Sequence, residues 1–198
     1  MDYPAAKAYI LRQLENNLSD LLYYHGVHHT LDVLKRTDEL CHDEKIPPYE
    51  TTLLKTAALY HDCGFMFNSK DHERLGCDLA RKALPAFRYK DQAIERICGM
   101  IMATKVPQNP QTDLEAILCD ADLDYLGRDD FPTIGDTLFQ ELQAHQILQN
   151  REEWNKMQVA FLERHAYFTK TNQQLRQPRK QEHLDQLKTI VMGYEKNG

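Results

Sequence analysis

The sequence lacks the long apolar run that a membrane-spanning helix requires. No stretch of the 198 residues approaches the roughly 18 consecutive apolar residues of such a helix. The first residues, MDYPAAKAYILRQLENN, carry acids and amides where a signal peptide would be apolar. These absences predict a protein that is not inserted in a membrane and that resides in the cytoplasm.

Two further classes are excluded by what is scarce. The 5 cysteines include no C-x-x-C pair and lie mostly beside apolar residues, so we expect reduced thiols that pack in the core. The net charge is -6 and the basic residues are scattered over the first three quarters of the chain. Without a cationic stripe, a long nucleic acid is not an expected partner.

Helical periodicity runs through almost the whole sequence, and glycine and proline fall between the periodic segments. We therefore predict an all-α protein that forms one domain over residues 1–198. Its core spans about 24–127, and helices within about 130–195 are expected to pack on that core. The predicted helices, with uncertain ends, cover about 4–18, 25–44, 49–63, 70–85, 89–103, 112–126, 133–148, 151–167 and 171–195.

The second predicted helix opens with YHGVHHTLDVL, which is unusually rich in histidine. At 100° per residue, His25, His29 and Asp32 share one arc of the helix. His28 falls on a charged arc, and Leu31 falls with apolar residues on an arc predicted to enter the core. His29 is therefore the better candidate for a metal ligand, and His28 is predicted to be solvated.

A His-Asp pair ends the third predicted helix, TTLLKTAALYHDCGF. His61 and Asp62 follow a run of small and apolar residues, so both side chains are expected to be partly buried. A buried carboxylate needs a cation or strong hydrogen-bond donors. A metal ion bound by an imidazole nitrogen and a carboxylate oxygen would satisfy both residues.

The sixth predicted helix carries three aspartates in the run DADLD. Asp120 and Asp124 are predicted to lie away from the apolar stripe of this helix, whereas Asp122 lies at its edge, one turn after Leu118. Asp122 is therefore the aspartate most expected to point inward.

In this order, His29, the doublet His61-Asp62 and Asp122 reproduce the H…HD…D signature, so the sequence resembles the HD-domain superfamily of metal-dependent phosphohydrolases. The resemblance covers about residues 24–127. It implies an HD-type bundle of about eight or nine helices, in which the four side chains bind one divalent cation. We count Asp62 among the catalytic residues as well as among the ligands.

Two local patterns extend this resemblance. Tyr24-His25, followed by His29, is similar to the YHxxxH opening of cyclic-nucleotide phosphodiesterases, although Gly26 stands where those enzymes have asparagine. By that similarity His25 would be a general acid. The segment HERLGCDLA, from His72, is similar to a histidine-led helix whose histidine serves a second metal or the substrate phosphate.

Three cationic residues are candidate contacts for a substrate phosphate. Arg74 and Lys105 lie near the expected mouth of the site, and Arg128 follows the helix of Asp122. Their guanidinium and ammonium groups are suited to bind phosphate oxygens.

The resemblance implies an enzyme, a phosphomonoesterase or phosphodiesterase that cleaves a small phosphate ester by attack of a metal-activated water. A nucleotide or related metabolite is the expected substrate. The ligand types suit Mn, Mg, Fe, Co, Ni or Zn, and one or two ions remain open. Two alternatives stay open: a non-catalytic nucleotide-binding or partner-binding HD module with a structural metal, and an HD-fold di-iron oxygenase. Assembly as a homodimer is also left open.

Overall fold

The computed structural model describes residues 1–195, and every regular element in that range is helical. The all-α prediction is confirmed. The chain divides into two compact units, residues 1–122 and 123–198. One domain over 1–198 stays a prediction, and its last three residues lie outside the described range. Within residues 1–195, no helix is both long and apolar enough to cross a membrane.

The first unit is built around one largely buried helix, Pro48–Tyr60. Its helices are α1 (Tyr3–Asn17), α2 (Val27–Asp43), α3 (Pro48–Tyr60), α4 (His72–Ala83), α5 (Asp91–Ala103) and α6 (Asp113–Asp122), with 3-10 turns at Cys63–Met66 and Leu84–Phe87. In α3, Leu53, Leu54, Ala57 and Ala58 are all buried. Because its second half is buried on most sides, this helix packs against α1, α2, α5 and α6.

Helix α2 differs from its prediction at its start and in its buried face. It begins at Val27 after Gly26, so His25 precedes the helix. The expectation that Leu31 enters the core is wrong, because its side chain is 42% exposed. The helix instead buries the arc that contains His29 and Val33. His28 is exposed, as predicted.

The sixth helix is shorter than its prediction. Helix α6 ends at Asp122, and the chain continues through a 3-10 turn at Asp124–Gly127. Asp124 therefore does not lie on the helical wheel used to place it. The expectation that Asp120 and Asp124 lie away from the buried side is wrong, because both side chains are buried.

The second unit contains the 3-10 turn and four helices, α7 (Phe131–Ala144), α8 (Arg151–Arg164), α9 (Lys170–Leu175) and α10 (Gln177–Glu195). Helix α10 packs against α8, α9 and the turn. Helices α9 and α10 are separated at Arg176, two residues before Pro178. Pro178 is the second residue of α10, where a missing backbone N–H costs little.

Candidate metal centre

Three helix ends of the first unit carry the four predicted metal ligands. His29 lies in the first turn of α2, and His61 directly follows α3. Asp62 comes next in the chain, before the 3-10 turn at Cys63–Met66. Asp122 is the last residue of α6. Positions at helix ends let side chains from separate helices converge on one point.

The two imidazoles each lie close to the other and to one carboxylate oxygen of each aspartate. Nε2 of His29 is 3.4 Å from Nε2 of His61, 3.4 Å from Oδ2 of Asp62 and 3.2 Å from Oδ1 of Asp122. Nε2 of His61 is 3.2 Å from the same Asp62 oxygen and 3.5 Å from that of Asp122. Ligand atoms bound about 2.1 Å from one ion are about 3.0–3.4 Å apart in octahedral or tetrahedral geometry. The observed separations therefore suit one shared cation.

The backbone sets the orientation of the His61 ring. Nδ1 of His61 lies 2.8 Å from the carbonyl oxygen of Ala58. A carbonyl only accepts, so Nδ1 carries the proton and donates it, which leaves Nε2 to face the cluster. Such a hydrogen bond donated by the outer nitrogen is usual for histidines that bind metals.

Electrostatics within the cluster shift all four titratable groups. Burial opposes protonation of His29 and His61, but the carboxylates of Asp122 and Asp62 outweigh it and raise the pKa of both imidazoles. Burial opposes ionisation of the carboxyl groups, but the two imidazoles outweigh it. They hold the pKa of Asp62 well below its usual value and lower that of Asp122 to about 2. Because both carboxylates are ionised, a positive charge within the cluster is stabilised.

One buried atom shows that the donor set fits a cation. Oδ2 of Asp62 is buried and makes no hydrogen bond with any donor of residues 1–195, although two imidazole nitrogens lie 3.2 and 3.4 Å away. A buried carboxylate oxygen without a hydrogen bond is costly, and coordination of a cation removes that cost. Oxygen and imidazole donors in this mixture suit first-row divalent metals and Mg²⁺.

His72 lies on the other side of Asp62. Its Nε2 is 3.5 Å from Oδ1 of Asp62 and 3.5 Å from Oε1 of Glu73, whose side chain is buried. Nδ1 of His72 donates to the carbonyl of Ser69 at 3.0 Å. Asp62 therefore faces the four-ligand cluster with one oxygen and His72 with the other.

His25 lies beside this cluster within a group of aromatic rings. Its imidazole stacks on Phe65 with 4.1 Å between the ring centroids and meets Tyr24 edge-on at 4.7 Å. Its centroid is 6.1 Å from that of His29 and 6.4 Å from that of His72. The structure thus brings His25 next to one predicted ligand and next to His72.

The three cationic candidates are engaged in ion pairs. Arg74 pairs with Asp78 at 3.0 Å, and Lys105 pairs with Asp71 at 3.1 Å, both on the exposed surface of the first unit. Neither Arg74 nor Lys105 supplies a ligand atom to the four-ligand cluster. Arg128 belongs to the second unit, where it contacts the carboxylates of Asp130 at 2.7 Å and Asp124 at 3.7 Å.

Phe65 and Glu73 lie beside the candidate site, but neither was predicted from the sequence. Glu73 lies in the first turn of α4, where acidic residues are common for reasons of the helix dipole, so nothing in the sequence marked it as buried. Phe65 follows the His-Asp doublet by three residues, and its apolar ring was indistinguishable from a core residue. Only the three-dimensional structure shows that both adjoin His72.

Comparison with known proteins fits this geometry. The model of the HD domain matches residues 26–125, which is just over half of the chain. The chain belongs to the HD-domain family. As an HD-domain protein it falls in a family of metal-dependent hydrolases, and the cluster of His29, His61 and Asp122 is its candidate metal site.

A solved structure has the same fold. A predicted HD superfamily hydrolase from an uncultured Thermotogales bacterium superimposes with a TM-score of 0.62 at 18% identity, covering 94% of this chain and 92% of that one. At that identity the likeness concerns the fold of the HD-domain protein alone. Among proteins with curated functions, none is similar enough to this chain to count as a match.

Proposed function

We propose that this HD-domain protein is a divalent-cation-dependent phosphohydrolase that acts on a small phosphate ester, a nucleotide or related metabolite. The convergence of four ligand atoms carries the proposal, since Nε2 of His29 lies within 3.4 Å of Asp62, Asp122 and His61. When bound there, a divalent cation supplies Lewis-acid activation of a phosphoryl group and of the attacking water.

The residues of the chain divide the remaining work. His29, His61, Asp62 and Asp122 are proposed to hold the cation, and the lowered pKa values of both aspartates keep their carboxylates ionised at neutral pH. Asp62 is also proposed as a catalytic residue, because its two oxygens face the cluster and His72. His25 is proposed as the general acid that donates a proton to the leaving oxygen.

His72 is proposed to contact either a second cation or the substrate phosphate. A second cation is favoured by the two carboxylate oxygens, of Asp62 and Glu73, that lie 3.5 Å from Nε2. The two alternatives differ in metal stoichiometry. Elemental analysis of protein saturated with Mn²⁺ and then desalted distinguishes two ions per chain from one.

A substrate panel tests the proposed activity. Wild-type protein, stripped of metal and reloaded separately with Mg²⁺, Mn²⁺, Fe²⁺, Co²⁺, Ni²⁺ or Zn²⁺, is assayed on nucleoside monophosphates, triphosphates, cyclic nucleotides and chromogenic phosphate mono- and diesters. We expect turnover with at least one pairing and its loss in His29→Ala. His28→Ala is the matched control because the neighbouring imidazole is exposed. Inactivity of the loaded wild type across the panel would overturn the proposal.

Metal content, stability and oxygen consumption separate this proposal from the two alternatives. A non-catalytic module with a structural metal predicts bound metal and loss of stability, without turnover, when His61 or Asp62 is replaced. A di-iron oxygenase predicts two irons per chain and oxygen consumption.

We further propose a small-molecule substrate in preference to a long nucleic acid, since the net charge is -6. Light scattering would decide between monomer and homodimer.

A further inference from the structure

Three aromatic rings adjoin one another beside the candidate metal centre, and Phe65 contacts both of the others. Its ring centroid lies 4.1 Å from that of His25, with 20° between the planes, and 4.2 Å from that of His72, with 31° between the planes. The two imidazole centroids are 6.4 Å apart. The Phe65 ring therefore contacts both imidazoles, and each imidazole lies closer to Phe65 than to the other imidazole.

The backbone around Phe65 is tied to both the ligands and His72. Its N–H donates to the carbonyl of Asp62 at 3.0 Å. Gly64, the preceding residue, lies so close to the start of α4 that a Cβ there would be 1.9 Å from the carbonyl oxygen of His72. The position of the Phe65 ring is thus set by the same backbone that places Asp62 and His72.

Contacts of this kind restrict the orientation of both imidazoles, and that of His72 is restricted in addition by the hydrogen bond from its Nδ1 to the carbonyl of Ser69. His25 precedes α2, so a helical backbone does not hold it. The imidazole plane turns about a broad, soft torsion unless its surroundings restrict it. A phenyl ring packed against an imidazole restricts the plane while leaving the nitrogens at the ring edge accessible. An aliphatic side chain of similar volume fills the space without favouring one ring plane.

We propose that Phe65 is a positioning residue that fixes the ring planes of His25 and His72, so that the imidazole edge of His25 and Nε2 of His72 remain directed at the metal centre and at a phosphate ester bound there. The effect on turnover rests on the proposed function. The placement of the rings does not, because it is a property of the metal-free protein. The two parts can therefore fail separately.

Nuclear magnetic resonance of the metal-free protein tests the placement. In Phe65→Leu, the ring protons of His25 and His72 should move downfield and broaden, because they lose the ring current of the phenyl group and a fixed plane. Spectra of the wild type and of the variants are recorded at the same pH. His183, which stacks on Phe131 at 4.7 Å and 26°, is the internal reference. Phe67→Leu is the matched control, since Phe67 is 61% exposed. Unchanged His25 and His72 resonances in Phe65→Leu would overturn the proposal.

Steady-state kinetics test the consequence. Phe65→Leu should retain at least one metal ion per chain but lose about tenfold or more in kcat, with a smaller change in KM, since misaligned catalytic groups lower turnover by such factors. Phe65→Tyr, which keeps the ring, should retain most of the activity. The loss should be smaller with a p-nitrophenyl ester, whose leaving group needs little protonation.

The kinetic outcomes are decisive in either direction. Equal losses in Phe65→Leu and Phe65→Tyr, or retention of less than one metal ion per chain by Phe65→Leu, would show a merely structural role and overturn the proposal. If Phe65→Leu does not fold, Phe65→Met replaces it in both experiments. If the wild type has no activity, the proposed function fails while the resonance shifts still decide the positioning role.

Discussion

Asp62 in the first unit and Asp124 in the second are both buried aspartates, with 6% and 1% exposure, but their partners differ in kind. Oδ1 of Asp124 accepts hydrogen bonds from Nε of Arg176 at 2.8 Å and from the amide of Asn172 at 3.3 Å. Arg128 lies 3.7 Å from its other oxygen. Asp124 is therefore compensated by permanently charged and amide donors of its own unit.

Asp62 faces imidazoles, whose charge depends on pH. Its Oδ2 lies near His29 and His61 without a hydrogen bond to either. Without a cation, protons on the imidazoles must supply the positive charge. A buried carboxylate in a permanent guanidinium pair is structural, whereas one among titratable nitrogens is suited to exchange protons for metal.

Replacing Asp62 should have the largest effect. Asp62→Asn keeps the shape of the side chain but removes its charge. We expect metal affinity and turnover to fall by more than about 100-fold, the upper figure for loss of an outer partner of a metal ligand. Calorimetric titration and the substrate panel measure both. Asp78→Asn, an exposed carboxylate of the same unit, is the control. Metal affinity within threefold of wild type, roughly 0.7 kcal/mol, would remove Asp62 from the ligand set.

Replacing Arg176 should destabilise the protein through the second cluster. Arg176→Met leaves the buried charge of Asp124 without its closest partner. We expect the free energy of unfolding to fall by about 2–3 kcal/mol, less than for a fully buried pair because Arg176 is partly exposed. Urea denaturation with and without EDTA should give the same loss.

The control for Arg176 is another arginine of the same unit. Arg179 pairs with Asp129 and Glu182 on the surface, so Arg179→Met should lower the free energy of unfolding much less than Arg176→Met does. Equal losses in the two variants would mean that the Asp124 cluster contributes no more than a surface pair.

Metal stabilisation should increase with pH. The pKa values of His29 and His61 are raised above 6.5, so in metal-free protein their stabilising charge is complete below about pH 6.5 and is lost as pH rises through the folded values. Asp62 and Asp122, lowered below 3.8, stabilise above that pH and lose their effect as pH falls through their folded values. The metal-free cluster is thus most stable between about pH 4 and 6.5.

Bound metal replaces those protons. The stabilisation by saturating Mg²⁺ or Mn²⁺ should therefore grow with pH, by up to about 1.4 kcal/mol per pH unit for each proton displaced, until the imidazoles are neutral. Thermal denaturation between pH 5.5 and 8.5, with and without metal, measures this trend. A stabilisation independent of pH would contradict proton displacement from the cluster.

Replacing Lys105 should have the smallest effect on stability. Its pair with Asp71 is exposed, so Lys105→Met should change the free energy of unfolding by less than about 0.5 kcal/mol. If Lys105 also contacts substrate phosphate, KM should rise several-fold with little change in kcat. Unchanged kinetics would remove Lys105 from the candidate substrate contacts.

Prediction from the sequence succeeded where the type of a residue and its neighbours in the chain decide its structure. Apolar periodicity predicted the helices, and the burial expected of an aspartate after an apolar helix pointed to Asp62. It was misleading for Leu31 and Asp120, because a helical wheel gives relative angles but not the direction of the core. It was uninformative for Phe65, since contact with two histidines depends on the close approach of Gly64 to His72.

The metal centre is tested most directly by the metal content of wild type and His29→Ala after reloading with Mn²⁺ and desalting. Elemental mass spectrometry measures this content. Wild type should retain at least one ion per chain, and His28→Ala should match it. His29→Ala should retain much less than one, because Nε2 of His29 lies within 3.4 Å of the other three ligands. Equal retention by His29→Ala and wild type would contradict the assignment of the metal centre.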